Sequence, residues 1–312
     1  MTRAIAAAPK SDTAKEAQDF LAKIEAGDGK SAKKWTASTS VGYQYDDNVT
    51  TDEVDTSSNL HDTAFILEAA ATYQLHQGGA IDIEVGYDFF QSLYDDLTSF
   101  DLRSHTFSIV AEKEIADVDA SAILLYTRTN LGGDDFLGIH SITPSLGYGF
   151  TPNWYASFSY NFQNKNFIGA EERDSEVHSV GVNNFVFFMD GKANVSFGYR
   201  IEDENTESSE FDYLGHFLHA KVKAPIPGAA IAKWNPTATL GWAYYNKNYN
   251  SLTASISDER QDERTTLSLG LTADVTTRVQ AKFAYEKIEA ISNLVTADFN
   301  ENIATLSFGV TF

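Results

Sequence analysis

The chain has 312 residues, no cysteine and a net charge of -21, from 23 basic and 44 acidic side chains. This acidic balance argues against a nucleic-acid partner, because binding to phosphates requires a basic surface. The lack of cysteine excludes disulfides, thiol nucleophiles and cysteine-bound metals. Aromatic residues make up 13% of the chain while prolines number 6, a composition that favours β-structure.

The first thirty residues differ from the rest of the chain. The stretch SDTAKEAQDFLAKIEAGDG offers Ser11 or Asp12 as an N-cap and glycines as a stop, which predicts a helix from about 12 to 26. The opening MTRAIAAAPK lacks the apolar core of a secretory signal, so we expect any export signal to lie upstream. Residues 1–33 are therefore predicted to be a short periplasmic helical segment that precedes a β domain over 34–312.

From Trp35 to the C terminus the hydrophobic period is two, as expected for strands that have one apolar and one polar face. We count fourteen alternating segments, of which those near 119–131 and 211–223 alternate less regularly. The segment that begins at Ile81 illustrates the pattern, with its apolar residues all on one parity: Ile81, Ile83, Val85, Tyr87 and Phe89.

Such alternation fits either a soluble sandwich or a barrel that turns its apolar face toward lipid. Three features favour the barrel. The segments reach the length of membrane-spanning strands, aromatic residues gather toward segment ends, and tight connections such as HQGG (76–79) and TPN (151–153) alternate with ones that we expect to be long. The sequence thus predicts an all-β fold, a transmembrane antiparallel barrel of about fourteen strands in the bacterial outer membrane.

Acidic stretches lie between the alternating segments and are predicted to be solvated outer loop tips. The stretch at 46–55 lacks the glycine and terminal glutamate of a dedicated calcium loop. The alternative is that the acidic loop tips bind divalent cations, which in turn bind lipopolysaccharide phosphates. The stretches are DDNVTTDEVD (46–55), EERDSE (171–176), EDENTESSEFD (202–212) and SDERQDER (257–264). One connection, PIPGAAIAKWN (225–235), is predicted to face the periplasm although it is longer than its peers.

The polar parity is predicted to enclose water. Asp82, Glu84 and Asp88 form an acidic column on that parity, which Glu68 could join. The column is interpreted either as a cation-selective constriction or as a lumen wall neutralised by basic side chains, Lys223 and Lys247 among them. The predicted pore-lining residues are Glu68, Asp82, Glu84, Asp88, Arg128, Arg200, Lys221, Lys282 and Glu286.

The chain ends in LSFGVTF, in which Leu306, Phe308, Val310 and Phe312 share one parity. This ending resembles the C-terminal strand of outer-membrane barrels, which the barrel-assembly machinery reads, although Ser307 stands where that pattern carries glycine. The resemblance implies that the assembly machinery is a partner. The same strand is predicted to pair with the first one, near 35–46, so that neither edge stays open.

The N terminus resembles the end of a tetratricopeptide repeat, with Ala4 and Pro9 spaced as in that repeat and AKEAQDFLAKIE following like a terminal helix. WTASTSVGYQYDDNV (35–49) and the last hairpin (286–312) resemble the barrels of outer-membrane proteins that follow periplasmic tetratricopeptide repeats, among them the surface lipoprotein assembly modulators. The resemblance implies a fourteen-stranded barrel that assists lipoprotein transfer. Polysaccharide-export porins share this order of periplasmic repeats followed by a barrel.

The sequence gives little support for catalysis, so we expect the protein not to be an enzyme and to have no cofactor and no metal site. No serine has a G-x-S-x-G context, and His216 and His219 differ in parity. The leading prediction is a translocation or export pore that passes a periplasmic cargo protein or polysaccharide to the cell surface. The alternatives are a passive diffusion porin for small solutes and a blocked structural or surface-binding barrel. Outer-membrane lipid and lipopolysaccharide are the expected surroundings.

Overall fold

The computed structural model describes residues 34–78, 80–228 and 231–312. The predicted helix at 12–26 lies outside the described residues, and the domain boundary at residue 33 stays a prediction. Among the described residues, no helix is long and apolar enough to cross a membrane.

The described residues form a closed antiparallel barrel of fourteen strands, as predicted. Each strand pairs with its neighbours in sequence order, and a two-residue hairpin, β2 (Thr50–Thr51) and β3 (Thr56–Ser57), lies in the first outer connection. The barrel strands are β1 (Trp35–Asp46), β4 (Asp62–His76), β5 (Asp82–Tyr94), β6 (Leu102–Ile115), β7 (Val118–Leu131), β8 (Asp134–Thr151), β9 (Trp154–Phe167), β10 (Ser175–Phe188), β11 (Ala193–Thr206), β12 (Tyr213–Pro225), β13 (Thr237–Thr253), β14 (Asp258–Asp274), β15 (Val279–Ser292) and β16 (Phe299–Thr311).

The barrel closes through its first and last strands, which confirms the pairing predicted from the C-terminal alternation. Val41 lies opposite Phe308, and Tyr43 lies opposite Leu306. Closure leaves no row of unpaired backbone groups, and such a row would be costly in a bilayer that offers no water to satisfy it.

The two faces of the barrel follow the sequence parity. Large apolar side chains on the outside are about half exposed: Phe107 at 52%, Leu146 at 54% and Phe308 at 48%. The opposite parity places small polar side chains inside, where Thr127 and Thr143 are buried. The apolar face therefore points outward and the polar face encloses the lumen, as predicted.

Two of the outer connections are shorter than predicted. Within the described residues, β7 and β8 are joined by Gly132 and Gly133, and β13 and β14 by residues 254–257. Two of the acidic stretches extend into strands, because 202–206 belong to β11 and 258–264 to β14. The physical reason is that a barrel strand can continue past the apolar band, where both of its faces are free to carry charge. The long periplasmic connection after β12 is present as predicted and holds a 3-10 turn, Ala232–Trp234.

Candidate functional site

The connection from β1 to β4, residues 47–61, folds into the barrel, and we call it the first outer loop. Its Val49 has no exposed surface and packs against Ile66 of β4 and Phe90 of β5. Val54 packs against a second apolar cluster on β8 and β9, formed by Leu137, Ile139 and Phe167. Because β5 and β8 lie on different parts of the ring, the loop reaches from one wall across the lumen to another.

Charged groups hold the far side of this loop in place. Arg260 on β14 donates to both carboxylate oxygens of Asp55, at 2.9 and 2.6 Å, and Arg173 donates at 2.8 Å. Arg173 also donates to the carbonyl oxygen of Glu53 at 3.1 Å. The side chain of Arg260 is only 3% exposed. We call Asp55, Arg173 and Arg260 the latch, since together they join the loop to two separate parts of the barrel.

The latch keeps Asp55 ionised. Burial by itself would raise the pKa of the Asp55 carboxyl, but the hydrogen bonds and charge of Arg260 and the charge of Arg173 outweigh it. The net result is a pKa well below the usual range for aspartate. The latch is therefore a pairing of full charges at neutral pH.

The buried first outer loop corrects the prediction that DDNVTTDEVD is a solvated tip. Thr50 and Thr51 are also buried, and the Thr50 hydroxyl donates to Glu301 of β16 at 3.1 Å. The reason for the difference is the partners: two arginines and two apolar clusters compensate the loop for the water that it loses. No signal within the loop itself reveals those partners.

A second set of charges fills the lumen wall near the outer ends of β9 and β11–β13. Lys165 contacts both oxygens of Glu204 at 3.0 Å. Glu202 accepts hydrogen bonds from the hydroxyls of Tyr213 at 2.8 Å and Tyr245 at 2.5 Å. We call these five residues the outer network. The outer network and the first outer loop therefore both place paired polar groups in the outer half of the lumen.

The acidic column predicted from the sequence lies on the lumen side of β5, in the inner half of the barrel. Asp82, Glu84 and Asp88 point inward from β5 and are partly exposed. Glu84 accepts from the Gln74 side chain at 2.5 Å, while Glu68 accepts from Ser40 at 2.7 Å. These carboxylates, with their neutral donors, form an acidic wall near the periplasmic opening.

A basic wall faces the acidic one. Lys221 and Lys223 point inward from β12, which is the seventh strand from β5 in either direction around the ring. Lys282 points inward from β15 and is exposed. None of the three lysines makes an ion pair within the described residues. The acidic column is thus not neutralised by these lysines, because Lys221 and Lys223 lie on the opposite side of the ring from β5 and Lys282 lies four strands away from it.

Three other predicted lining residues lie elsewhere. Arg128 alternates with the buried Thr127 and Thr129 and points outward, with its side chain 47% exposed beside Asp135. The prediction that Arg128 lines the pore is therefore wrong. The irregular alternation of its segment concealed which face it occupies. Arg200 points inward but pairs with Glu202 at 3.3 Å. Glu286 points inward and is 6% exposed, so it lies within the packed wall.

The histidines are arranged as their parity predicted. His216 is on the outside against Tyr199, at 2.7 Å from its hydroxyl, while His219 is on the lumen side near Arg200. Among the described residues, no group of three or more histidine, cysteine or acidic side chains could hold a metal ion.

Comparisons with known proteins agree with this fold. An anion-selective porin from Comamonas acidovorans is similar with a TM-score of 0.51 at 10% identity, over 89% of this chain and 98% of that chain. OccAB3 of Acinetobacter baumannii gives 0.47 at 9% identity, over 89% and 99%, and a bacterial polysaccharide outer membrane secretin gives 0.45 at 10%, over 88% and 97%. At such identities the likeness concerns the fold alone. No family model matches the chain, and no curated protein matches it.

The closed ring, the apolar exterior and the polar interior together define the class. The chain is an integral β-barrel of the bacterial outer membrane. The first outer loop crosses the outer half of the lumen, and charged walls line the inner half.

Proposed function

We propose that this protein is a non-enzymatic diffusion channel for small polar solutes, in which the first outer loop controls passage. The observation that carries the proposal is the inner lumen, where partly exposed acidic residues of β5 face partly exposed lysines of β12. A structural barrel would gain nothing from unpaired lysines at such a place, since an inward-facing charge without a partner costs free energy unless water solvates it.

The number of strands in the barrel is consistent with a channel for small solutes. Eight strands are filled by their own side chains, whereas about sixteen to eighteen leave a wide aqueous channel. Fourteen strands lie between these limits, and here the first outer loop narrows the lumen further. Passage therefore requires either movement of that loop or a narrow path beside it.

Planar-bilayer recording tests the proposal. We expect the wild-type barrel to show small or brief openings and Asp55→Asn to show larger and longer ones. The variant leaves Arg173 without its carboxylate partner and leaves Arg260 paired with Asp262 of β14 alone, so the charge pairs between the loop and the barrel are lost. Removing one member of a buried charge pair costs on the order of 3 kcal/mol, enough to shift a closed loop toward open states. Glu207→Gln is the matched control, since it removes an exposed carboxylate from another outer loop.

Zero conductance in both the wild type and Asp55→Asn would leave the blocked structural barrel as the better explanation. Equal conductance in all three proteins would show that the latch does not control passage.

Export is the second candidate, and the resemblance to barrels that follow tetratricopeptide repeats motivates it. The charged walls of the inner lumen suit recruitment of a cargo segment, whereas the first outer loop across the outer half argues against passage of a folded protein. Surface display of a reporter lipoprotein or polysaccharide in cells that lack the protein tests this candidate. Undiminished display would exclude it, whereas the conductance experiment is unaffected by that result.

A further inference from the structure

Histidines occupy the outer face of the barrel at the level where its apolar band ends. On β6, His105 stands just beyond Phe107 and Ile109, which are half exposed to the surroundings. Equivalent histidines lie near the outer ends of β8, β10 and β12, and each contacts a tyrosine of the preceding strand. The pairs are Tyr87 with His105, Tyr126 with His140, Tyr160 with His178, and Tyr199 with His216.

The hydrogen-bonded pairs offer a donor to the outside in every protonation state. In the pair of Tyr87 and His105 the hydroxyl oxygen and Nδ1 are 2.8 Å apart. If the tyrosine hydroxyl donates to Nδ1, the Nε2 hydrogen of the histidine stays available as a donor. If Nδ1 donates to the tyrosine oxygen, the tyrosine hydroxyl hydrogen stays available. In the protonated imidazole both of these hydrogens are available. These pairs therefore suit a ligand rich in acceptor oxygens.

Two arginines lie beside the histidines of β6 and β8 and make this part of the outer face basic. Arg128 on β7 lies directly opposite His105 on β6, and Arg103 is its diagonal neighbour across the same pair of strands. His140 on β8 is diagonal to Arg128 on the other side. Such positions on one face are about 5–8 Å apart. We call Arg103, His105, Arg128 and His140 the rim patch.

The rim patch is not fully neutralised by the protein. Asp135 pairs with Arg128, and its Oδ1 accepts from Nε at 3.2 Å. Arg103 makes no ion pair within the part of the chain that the structure describes. Asp134 lies opposite Leu131 and therefore has the other strand parity from Asp135. On the outward parity the rim patch thus carries two arginines and one carboxylate, in a chain whose net charge is -21.

We propose that the rim patch binds the phosphate groups of a phosphorylated glycolipid in the outer leaflet. The patch lies at the end of the apolar band, where the headgroups of lipids packed against Phe107 and Ile142 would be found. Guanidinium groups bind phosphate oxygens in a bidentate manner, and the imidazole and phenol hydrogens add further donors. A soluble anion would gain nothing from the apolar surface directly below.

Native mass spectrometry of the full chain in detergent tests this, with lipid A carrying both phosphates and the same lipid with its phosphates removed as probes. We expect the phosphorylated form to bind about tenfold more tightly, and Arg103→Gln and Arg128→Gln each to remove most of that preference. Arg103→Lys should retain part of it, because it keeps the charge and loses the bidentate geometry. Lys287→Gln is the matched control, an outward basic residue on β15 at the far side of the ring.

Four outcomes would overturn the proposal. They are equal binding of the two lipids, an equal loss in Lys287→Gln, loss of binding when EDTA removes divalent cations, and full displacement by millimolar inorganic phosphate. The third would favour cation bridging through the acidic rim, and the fourth a site for free phosphate. Folding of each variant is checked by heat-dependent migration on gels, which should be unchanged because the side chains are outward.

Discussion

Asp55 shows how much a single carboxylate can contribute when its partners come from distant parts of the chain. Arg173 and Arg260 are 118 and 205 positions away along the sequence. Burial of three charged side chains is favourable only if each finds a partner, and here the Asp55 carboxylate pairs with both guanidinium groups, while Asp262 of β14 also pairs with Arg260. The loop position thus depends on one ionisable group whose charge is essential.

That dependence predicts how the channel responds to acid. The docked loop lowers the pKa of Asp55, so its stabilising contribution is complete above the ordinary aspartate pKa of about 3.9 and is lost as pH falls through that value toward the docked one. We expect open probability to be flat from neutral pH to about 4.5 and to rise only in stronger acid.

The measurement is single-channel recording across this range of pH. Asp55→Asn should show no acid-induced rise, because it has no proton to bind. A rise in the variant equal to that of the wild type would assign the acid response to other groups.

Among the elements, β16 closes the ring. Its outward residues Leu306 and Phe308, and Phe312 directly after it, are each about half exposed, while its backbone pairs with β1 on one side and β15 on the other. An exposed, apolar element that closes the ring suits recognition by assembly machinery before closure. Its role as an assembly signal stays a prediction.

Deletion of Phe312 tests that role. We expect a several-fold fall in the amount of heat-resistant folded barrel in cells, because the terminal aromatic is lost from the outward parity. Phe150→Ala is the control, since it removes a similarly exposed outward aromatic near the periplasmic end of β8 without altering the chain end. Similar losses in both proteins would assign the effect to interfacial stability rather than to a terminal signal.

For the whole molecule, the arrangement of charge around the ring matters more than the net charge. The acidic wall on β5 faces Lys221 and Lys223 of β12 across the inner lumen, while Lys282 of β15 lies four strands from β5, so the field there is directed across the passage. Cations are expected to travel near the first wall and anions near the second. The ratio of the cation flux to the anion flux should therefore change when the charge of either wall is removed.

This arrangement predicts opposite shifts of ion selectivity from two sets of variants, measured as reversal potentials in the Asp55→Asn background. Asp82→Asn and Glu84→Gln should shift selectivity toward anions, and Lys221→Gln toward cations. Arg128→Gln is the control, because its charge lies outside the barrel and should have no effect. Unchanged selectivity in both acidic variants would remove the column from the conduction path.

The sequence predicted well wherever the rule was local. In a strand successive side chains alternate between faces, so parity alone was enough to place Asp82 in the lumen, Phe308 on the outside, and His216 and His219 on opposite faces. It failed for Arg128, in a segment where the alternation is irregular, and for the acidic stretch 258–264, where both faces of a strand carry charge above the apolar band.

The amino-acid sequence by itself determined the number of strands, the face that each presents and the closure of the ring, because all three follow from period-two alternation and from the need to pair every backbone group in lipid. Only the tertiary structure decided that the first outer loop lies inside the lumen and that the acidic and basic walls are opposite each other. Both depend on contacts between residues that are far apart in the chain, and no local period encodes which strands meet across a lumen.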